Sequence, residues 1–390
     1  MGVLREGRVR RLKCEFVASR LPWTGMRLGK LTNRWFSRVL TRVSFQLDAL
    51  YQKVSEILFS IRSKMNMLAP MSRLPQDVLT LIPDFLNESG RDKVTIVLSH
   101  VCRAWREMLV SRASLWTDFR CMDAEKTRVY LERSKSSPIT LSLQRTLGFF
   151  PGDPFFQIAP YLTSRLSNLS VATTPNHLQD ITNNFVYPAP LLEALTIDGS
   201  FFHQDSNPVL TTALFGGDLS SLREFHLRSV RTELPWRNMN NLTPFSLFHV
   251  AHPPSISVEH ILDFFESAPH LREVELLSAA PTVHAQNGRL LSLSQLKTLS
   301  ISGCHSPSVL LDYLVIPVGT KVSVEWKSPR SRFDDHLPTS LDNLRNLSNF
   351  TEIRILSKTS QISIRFAGPS GEASFTFQVD STIFVRYPNP

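Results

Sequence analysis

His249 and His252 stand three residues apart, and Asp334, Asp335 and His336 run together ahead of Pro338. Imidazoles and carboxylates at such spacings are the raw material of a metal site or of a general acid–base pair. Neither group is completed. No cysteine or carboxylate near the two histidines finishes a ligand set, and a charged cluster before a proline reads as an ordinary polar loop. The cysteines, Cys14, Cys102, Cys121 and Cys304, keep no metal-ligand spacing and form no disulfide framework, which fits a reducing compartment. Cys121 and Cys304 lack the basic, helix-terminal setting of a reactive thiol. No G-x-S-x-G elbow, H-E-x-x-H pair or glycine-rich phosphate loop occurs, and 25 prolines stand against 15 glycines. The expectation is a non-catalytic chain with no catalytic residue, no metal and no cofactor.

What elements would such a chain present instead? Its 390 residues, 42% of them hydrophobic, exceed one ordinary domain and can bury a sizeable core. The charge is uneven: residues 1–70 hold 14 Lys/Arg against 4 Asp/Glu, and the remainder 29 against 30. The body is therefore neutral, which argues against a nucleic-acid surface there. No run of 18 apolar residues marks a membrane span, and the first residues lack the apolar core of a signal peptide. A disordered basic tail is expected over 1–42, with translation from Met65, Met67 or Met71 as a variant of that reading. The same Arg-rich, acid-poor composition is that of a mitochondrial presequence.

From Leu47 an apolar stripe begins. Leu47, Val54, Ile61 and Leu68 fall every seven residues, with Leu50/Tyr51, Ile57/Leu58 and Met65 between them. The spacing predicts an amphipathic helix of about five turns within 43–70. It packs on a neighbour in one reading and pairs in a dimer in another. Residues 72–119 read SRLPQDVLTLIPDFLNESGRDKVTIVLSHVCRAWREMLVSRASLWTDF. Pro75, Gln76 and Asp77 suit a helix start, Val78, Leu79, Ile82 and Phe85/Leu86 make one face, and Asn87, Ser89 and Gly90 end it. A second run carries Val94, Val97/Leu98, Val101/Cys102, Trp105 and Leu109, with Arg103, Arg106 and Glu107 on the solvated side. Three short helical pieces bury too little surface to stand alone.

These residues carry a resemblance. Leu74-Pro75, Val101-Cys102-Arg103-Ala104-Trp105 and Leu115-Trp116, in this order and separation, resemble the F-box. The leading helix ending in LAPMSRLP and the trailing YLERSKSSPITLSL are similar to the F-box proteins abundant in mushroom-forming fungi. The resemblance covers about an eighth of the chain. Pro83 departs from it, standing where the family keeps an apolar helical residue; a proline inside a helix costs up to ~3 kcal/mol, so the first helix is expected to kink or stop at Ile82 and to displace Phe85 and Leu86.

After Pro138 the period changes to that of strands. ITLSL at Ile139 alternates, and then one pattern recurs: LSNLSV at Leu166, LEALTI at Leu192, LREFHL at Leu222, LTPFSL at Leu242, LREVEL at Leu271, LKTLSI at Leu296 and FTEIRI at Phe350, with VSVEW near Val322 filling the one long step. This resembles a degenerate leucine-rich repeat, in which each unit gives a strand and a returning helix or loop. The Asn or Cys that usually follows appears only as Cys304, so the repeat is irregular. The tail from Ile353 (ISIRF, ASFTFQV, TIFVR) is expected to cap the stack.

The resulting expectation is a basic tail (1–42), an amphipathic helix (43–70), an F-box (71–119), a linker helix (120–138) and a repeat domain (139–390). The fold class is α + α/β, a short helical F-box before an irregular leucine-rich-repeat solenoid of strand–helix units. The F-box resemblance implies a substrate-recognition subunit of an SCF-type cullin–RING ubiquitin ligase. Leu74, Pro75, Val78, Leu79, Ile82, Leu98, Val101, Cys102, Trp105, Leu109, Leu115 and Trp116 would form the box and its contact with a Skp-type adaptor, and through it a cullin. Trp105 would anchor the helical core and Trp116 close it. Outward strand positions Thr196, Glu224, His226, Arg228, Phe248, Glu273 and Glu275, with Asp198, Ser246 and Arg354, would hold an unidentified protein target, with no nucleic acid and no membrane as partner. The cytoplasm or nucleus is the expected location. The alternative is a repeat scaffold whose F-box-like segment serves only internal packing; an enzyme with an unrecognised site in the body is a third.

Overall fold

A computed structural model of the chain describes residues 30–85, 91–121, 124–145, 157–173, 175–199, 209–211, 213–232, 236, 238–248, 257–279, 289–304, 308–326, 342–348, 350–358, 361–369 and 371–378. The chain divides into two compact units, Met1–Gln76 and Asp77–Pro390. The division falls within the segment expected as one box.

In the first unit Lys30–Leu68 form a single 39-residue helix, α1. It begins well before 43 and takes in residues 30–42, which composition assigns to a disordered tail. The physical reason is local: from Lys30 to Leu68 there is no Gly or Pro, and Arg, Lys and Leu are good helix formers. Pro70 ends it. Ala69 is extended (φ −63°, ψ 140°), as a residue before proline must be, and a 3-10 turn follows over Pro70–Arg73.

The second unit opens with three short helices: α2 (Gln76–Phe85), α3 (Arg91–Ser99) and α4 (Arg103–Ser111). The expected stop at Ile82 does not occur; α2 runs through Pro83 to Phe85. Pro83 lies in the last turn, so one backbone bond is lost and only two helical residues follow, and its buried ring adds to the packing. Leu86 and the expected stop signals at 87–90 lie outside the described residues. The periodic run 94–109 is broken in two because Cys102 is extended (φ −158°, ψ 174°) and caps α4, its carbonyl accepting the Arg106 N–H at 3.0 Å.

Then the sheet begins. Its strands are β1 (Asp118–Cys121), β2 (Ile139–Arg145), β3 (Leu166–Thr173), β4 (Ala194–Asp198), β5 (Val209–Leu210), β6 (Glu224–Arg228), β7 (Arg231–Thr232), β8 (Pro244–Phe248), β9 (Glu273–Leu277), β10 (Leu291–Ser292), β11 (Thr298–Cys304), β12 (Leu314–Val315), β13 (Lys321–Trp326), β14 (Glu352–Lys358), β15 (Gln361–Gly368) and β16 (Gly371–Gln378). Twelve of them form one sheet in the order β1-β2-β3-β4-β6-β8-β9-β11-β13-β16-β15-β14. All neighbours are parallel as far as β16; the β16–β15 and β15–β14 pairs are antiparallel. Short parallel pairs β5–β7 and β10–β12 form beside it. Helices α5 (Ala124–Arg133), α6 (Ala159–Thr163), α7 (Pro175–Asn184), α8 (Val258–Ser267) and α9 (Ser308–Leu311) occupy the connections, as parallel neighbours require a crossover.

Five of the recurring sequence motifs become the same local structure. An i→i−3 turn (Leu192 N–H to Ala189 O, Leu222 to Leu219, Leu242 to Met239, Leu271 to Ala268, Leu296 to Leu293) delivers a buried leucine, and the strand that follows alternates in burial in β4, β6 and β9, while in β8 Ser246 is buried along with Phe245 and Leu247. The N–H of the next residue then bonds back one rung, as with Arg223 to Glu193, Thr243 to Arg223 and Arg272 to Thr243. At β13 the leucine is replaced by buried Thr320, whose hydroxyl donates to Leu296 O at 2.7 Å. VSVEW does form the rung after β11, but FTEIRI does not form the next. That place belongs to β16, tied to the preceding turn by buried Asn346, which donates to Thr320 O (3.3 Å) and Glu372 O (3.4 Å). β14 is the antiparallel outer edge. Aromatic contacts run through the core from Trp236 to Phe225 (5.7 Å), Phe245 (5.9 Å) and Phe264 (4.6 Å).

Trp116 sits where the helices meet β1. It is wholly buried, its Nε1 donates to Leu109 O at 2.8 Å, Tyr130 meets its ring edge-on at 5.1 Å, and the Arg133 guanidinium lies 4.2 Å from its centroid. The C-terminal end of α5 is held by Arg165, which donates to Leu131 O, Ser134 Oγ and Ser137 O; partial burial lowers its pKa. Trp116→Phe keeps the ring but strands the Leu109 carbonyl, and should destabilise the second unit by about 1–3 kcal/mol in denaturant titrations. Trp116→Ala should cost about 3–5 kcal/mol.

Candidate functional site

Two surfaces are candidates, and the helical one is sorted by burial. Trp105, Leu109, Leu115 and Trp116 are core residues. Leu79, Ile82, Leu98 and Cys102, the last a free thiol, are half-buried and packed against that core. Val78 and Val101 are exposed, as are Leu74 and Pro75, which belong to the first unit. The residues expected to make one adaptor-binding set therefore divide by role. The same sorting adds three that sequence reasoning missed as surface: Leu81 and Phe85, three and seven positions after Val78, and Val97, four before Val101. Phe85 is 83% exposed. The helical spacing was there to find them, but a run rich in apolar residues leaves open which side faces inward.

Polar groups stiffen the α3–α4 corner. Ser99 Oγ donates to Ile96 O (2.6 Å) and Arg106 Nε to Ser99 O (3.0 Å), while exposed Arg103 and Glu107 pair at 3.9 Å. Thr95 is the exception, a wholly buried hydroxyl with no protein partner among the described residues.

The second surface is the outward face of the sheet. The register brings the expected target-binding residues together. Thr196, His226, Ser246 and Glu275 are paired across β4, β6, β8 and β9. The row continues as Ser170 and Ser142 on one side and Ser300, Ser323 and Ser374 on the other. One rung along each strand lie Asp198, Arg228 and Phe248, with Arg228 3.9 Å from Asp198 and 5.3 Å above the Phe248 ring. Glu224 and Glu273 flank the row on the other side and are exposed. Arg354, by contrast, lies on the edge strand β14 and pairs with Glu352.

His226 Nδ1 and Ser246 Oγ are 2.9 Å apart, the spacing of a nucleophile and base. The row places Thr196, not a carboxylate, on the other side of His226, and Glu275 lies beyond Ser246. Ser246 itself is buried, and His226 is half-buried beside it. Where the strands begin, a polar groove of about 710 Å³ crosses successive rungs, lined in part by Glu193, Arg223, Thr243, His270 and Arg272. Arg223 and Glu193 are 3.8 Å apart, and successive turns along it are joined by Asn241 Nδ2 donating to Ser220 O (2.7 Å) and by the Gln295–His270 contact (2.9 Å).

His249, His252 and the cluster 334–336 lie outside the described residues, as do the side chains of Cys121 and Cys304. Among the described residues no three His, Cys, Asp or Glu side chains are placed to hold a metal ion, and no helix is long and apolar enough to cross a membrane. Comparisons with family models, with curated proteins and with solved structures find no match for this chain.

Val97→Ser and Val101→Ser should each shift stability by less than about 0.5 kcal/mol, whereas Trp105→Ala should cost about 3–5 kcal/mol in the same denaturant titration. Thr95→Val, which removes an unsatisfied hydroxyl at nearly constant shape, should leave the second unit as stable as before or up to about 1 kcal/mol more so.

Proposed function

We propose that this chain is a substrate-recognition subunit of an SCF-type ubiquitin ligase, its helical segment an F-box for a Skp-type adaptor and its sheet a leucine-rich-repeat solenoid for a target protein. One observation carries the reading. The segment that resembles the F-box folds into three short helices that bury Trp105, Met108 and Leu109, with Trp116 buried just after them, while Val78, Leu81, Phe85, Val97 and Val101 stay outside. Exposed apolar side chains on so small an element are what a partner would cover. The polar row on the sheet, with Glu275 exposed in it and Glu224 and Glu273 exposed beside it, supplies a broad face of mixed chemistry suited to a protein ligand. Such a subunit acts by holding a target lysine close to a charged conjugating enzyme, and contributes position instead of a reacting group. The location that goes with this role is the cytoplasm or nucleus.

The scaffold reading keeps one observation of its own. Trp105, Leu109 and Trp116 share a continuous core with the strands, as internal packing alone would produce. α2 continues through Pro83 to Phe85, so this departure from the family pattern does not end the helix. The two readings separate in a binding measurement on the full chain with a purified Skp-type adaptor. Wild type should bind, and Leu81→Asp/Phe85→Asp should weaken binding by about a hundredfold or more, with an unchanged melting curve. A folded wild-type chain that fails to bind the adaptor leaves the scaffold.

A further inference from the structure

We propose that α1 joins two copies of this chain in a left-handed coiled coil over residues 40–68. With α1 beginning at Lys30, the seven-residue repeat extends upstream of Leu47. Leu40, Leu47, Val54, Ile61 and Leu68 occupy one heptad position, and Val43, Leu50 and Ile57 the position three further on. All are exposed, from 45% at Val43 to 71% at Leu68. Tyr51, Leu58 and Met65, each next to the second position, widen the stripe at the same interval.

The period decides what covers it. A straight α-helix has 3.6 residues per turn, so a strict seven-residue stripe drifts about 20° per heptad, or about 80° between Leu40 and Leu68. A flat lipid surface or a sheet face favours a stripe of period 3.6, which stays on one side of a straight helix. A stripe of period 3.5 stays in contact only with another helix, around which it winds. A second α1 is the partner that matches in length and pattern. From Leu40 to Leu68 the helix runs about 42 Å, and roughly half its side-chain cylinder gives ~700 Å² per chain. Stable protein pairs bury on the order of 800 Å² per partner. Charged residues stay outside: Arg42, Asp48, Lys53, Glu56 and Arg62 fall off the seam, and Lys64 alone replaces an apolar residue within it. One polar core position in a coiled coil specifies pairing at a cost in stability.

The test is sedimentation equilibrium of the full chain across two decades of concentration. Wild type should reach twice its chain mass of 44.3 kDa. Leu50→Glu/Ile57→Glu should sediment as the single chain with the tryptophan circular-dichroism signal of the second unit intact. Lys64→Leu, which completes the seam without removing anything, should tighten association about tenfold or more, and it decides the matter if the double variant does not fold. A wild-type chain that remains single throughout, including one that co-sediments with anionic phosphatidylserine vesicles, overturns the proposal. So does association that neither variant changes.

Discussion

A five-residue strand with two buried side chains cannot hold itself, and the rest of the structure follows from that. In β4 only Leu195 and Ile197 point inward. Burying two such side chains contributes about 3–6 kcal/mol, while ordering five residues of backbone costs about 5–10 kcal/mol. A rung is therefore stable only between two others. The buried leucine at each preceding turn adds a third apolar group, and the backbone bond from the residue after it prolongs the ladder beyond the strand. The sheet grows by repetition because each unit leaves its neighbour's needs unmet until the next is added.

Growth must also end. At one end β1, the edge of the sheet, follows on the helices, and Trp105, Leu109, Leu115 and Trp116 belong to the same core as the strands. The helical segment and the sheet thus solve each other's deficit: three short helices lack core, and the first strand lacks a neighbour. At the other end the chain changes tactics. β16 enters as the last parallel rung and then turns back through β15 and β14, so the edge is made by antiparallel pairs that need no crossover.

These rules explain what could be read in advance. The L-x-x-φ-x-φ motifs located β3, β4, β6, β8, β9 and β11, because the apolar spacing in all six and the turn in five of them are local. The outward row could be anticipated from the strand period, and Thr196, His226 and Glu275 do stand in register, although Ser246 between them is buried. What escaped was non-local. FTEIRI obeys the motif yet pairs antiparallel at the edge, since which strand follows β13 depends on the contacts of Asn346 and not on the strand's own pattern. Within α2 the inward and outward sets, Leu79 and Ile82 against Val78, Leu81 and Phe85, are all apolar, so periodicity alone could not tell core from surface. The length of α1 was hidden by composition: basic residues suggested a tail, although nothing between Lys30 and Leu68 breaks a helix.

The same strand period sets what the outward face presents. Parallel rungs lie about 4.8 Å apart, so one substitution moves a single point in a fixed array and leaves the core untouched. Most of the central row carries short hydroxyls, Ser142, Ser170, Thr196, Ser246, Ser300, Ser323 and Ser374, which lose little side-chain entropy on contact and offer both donors and acceptors. Longer groups are concentrated between β4 and β9, where Arg228 is already fixed by Asp198 and Phe248. The exposed carboxylates of Glu224, Glu273 and Glu275 stand beside it with no ion pair among the described residues. This stretch of the sheet thus presents one cation set between Asp198 and Phe248 and three exposed carboxylates over four strands, with shorter side chains on either side.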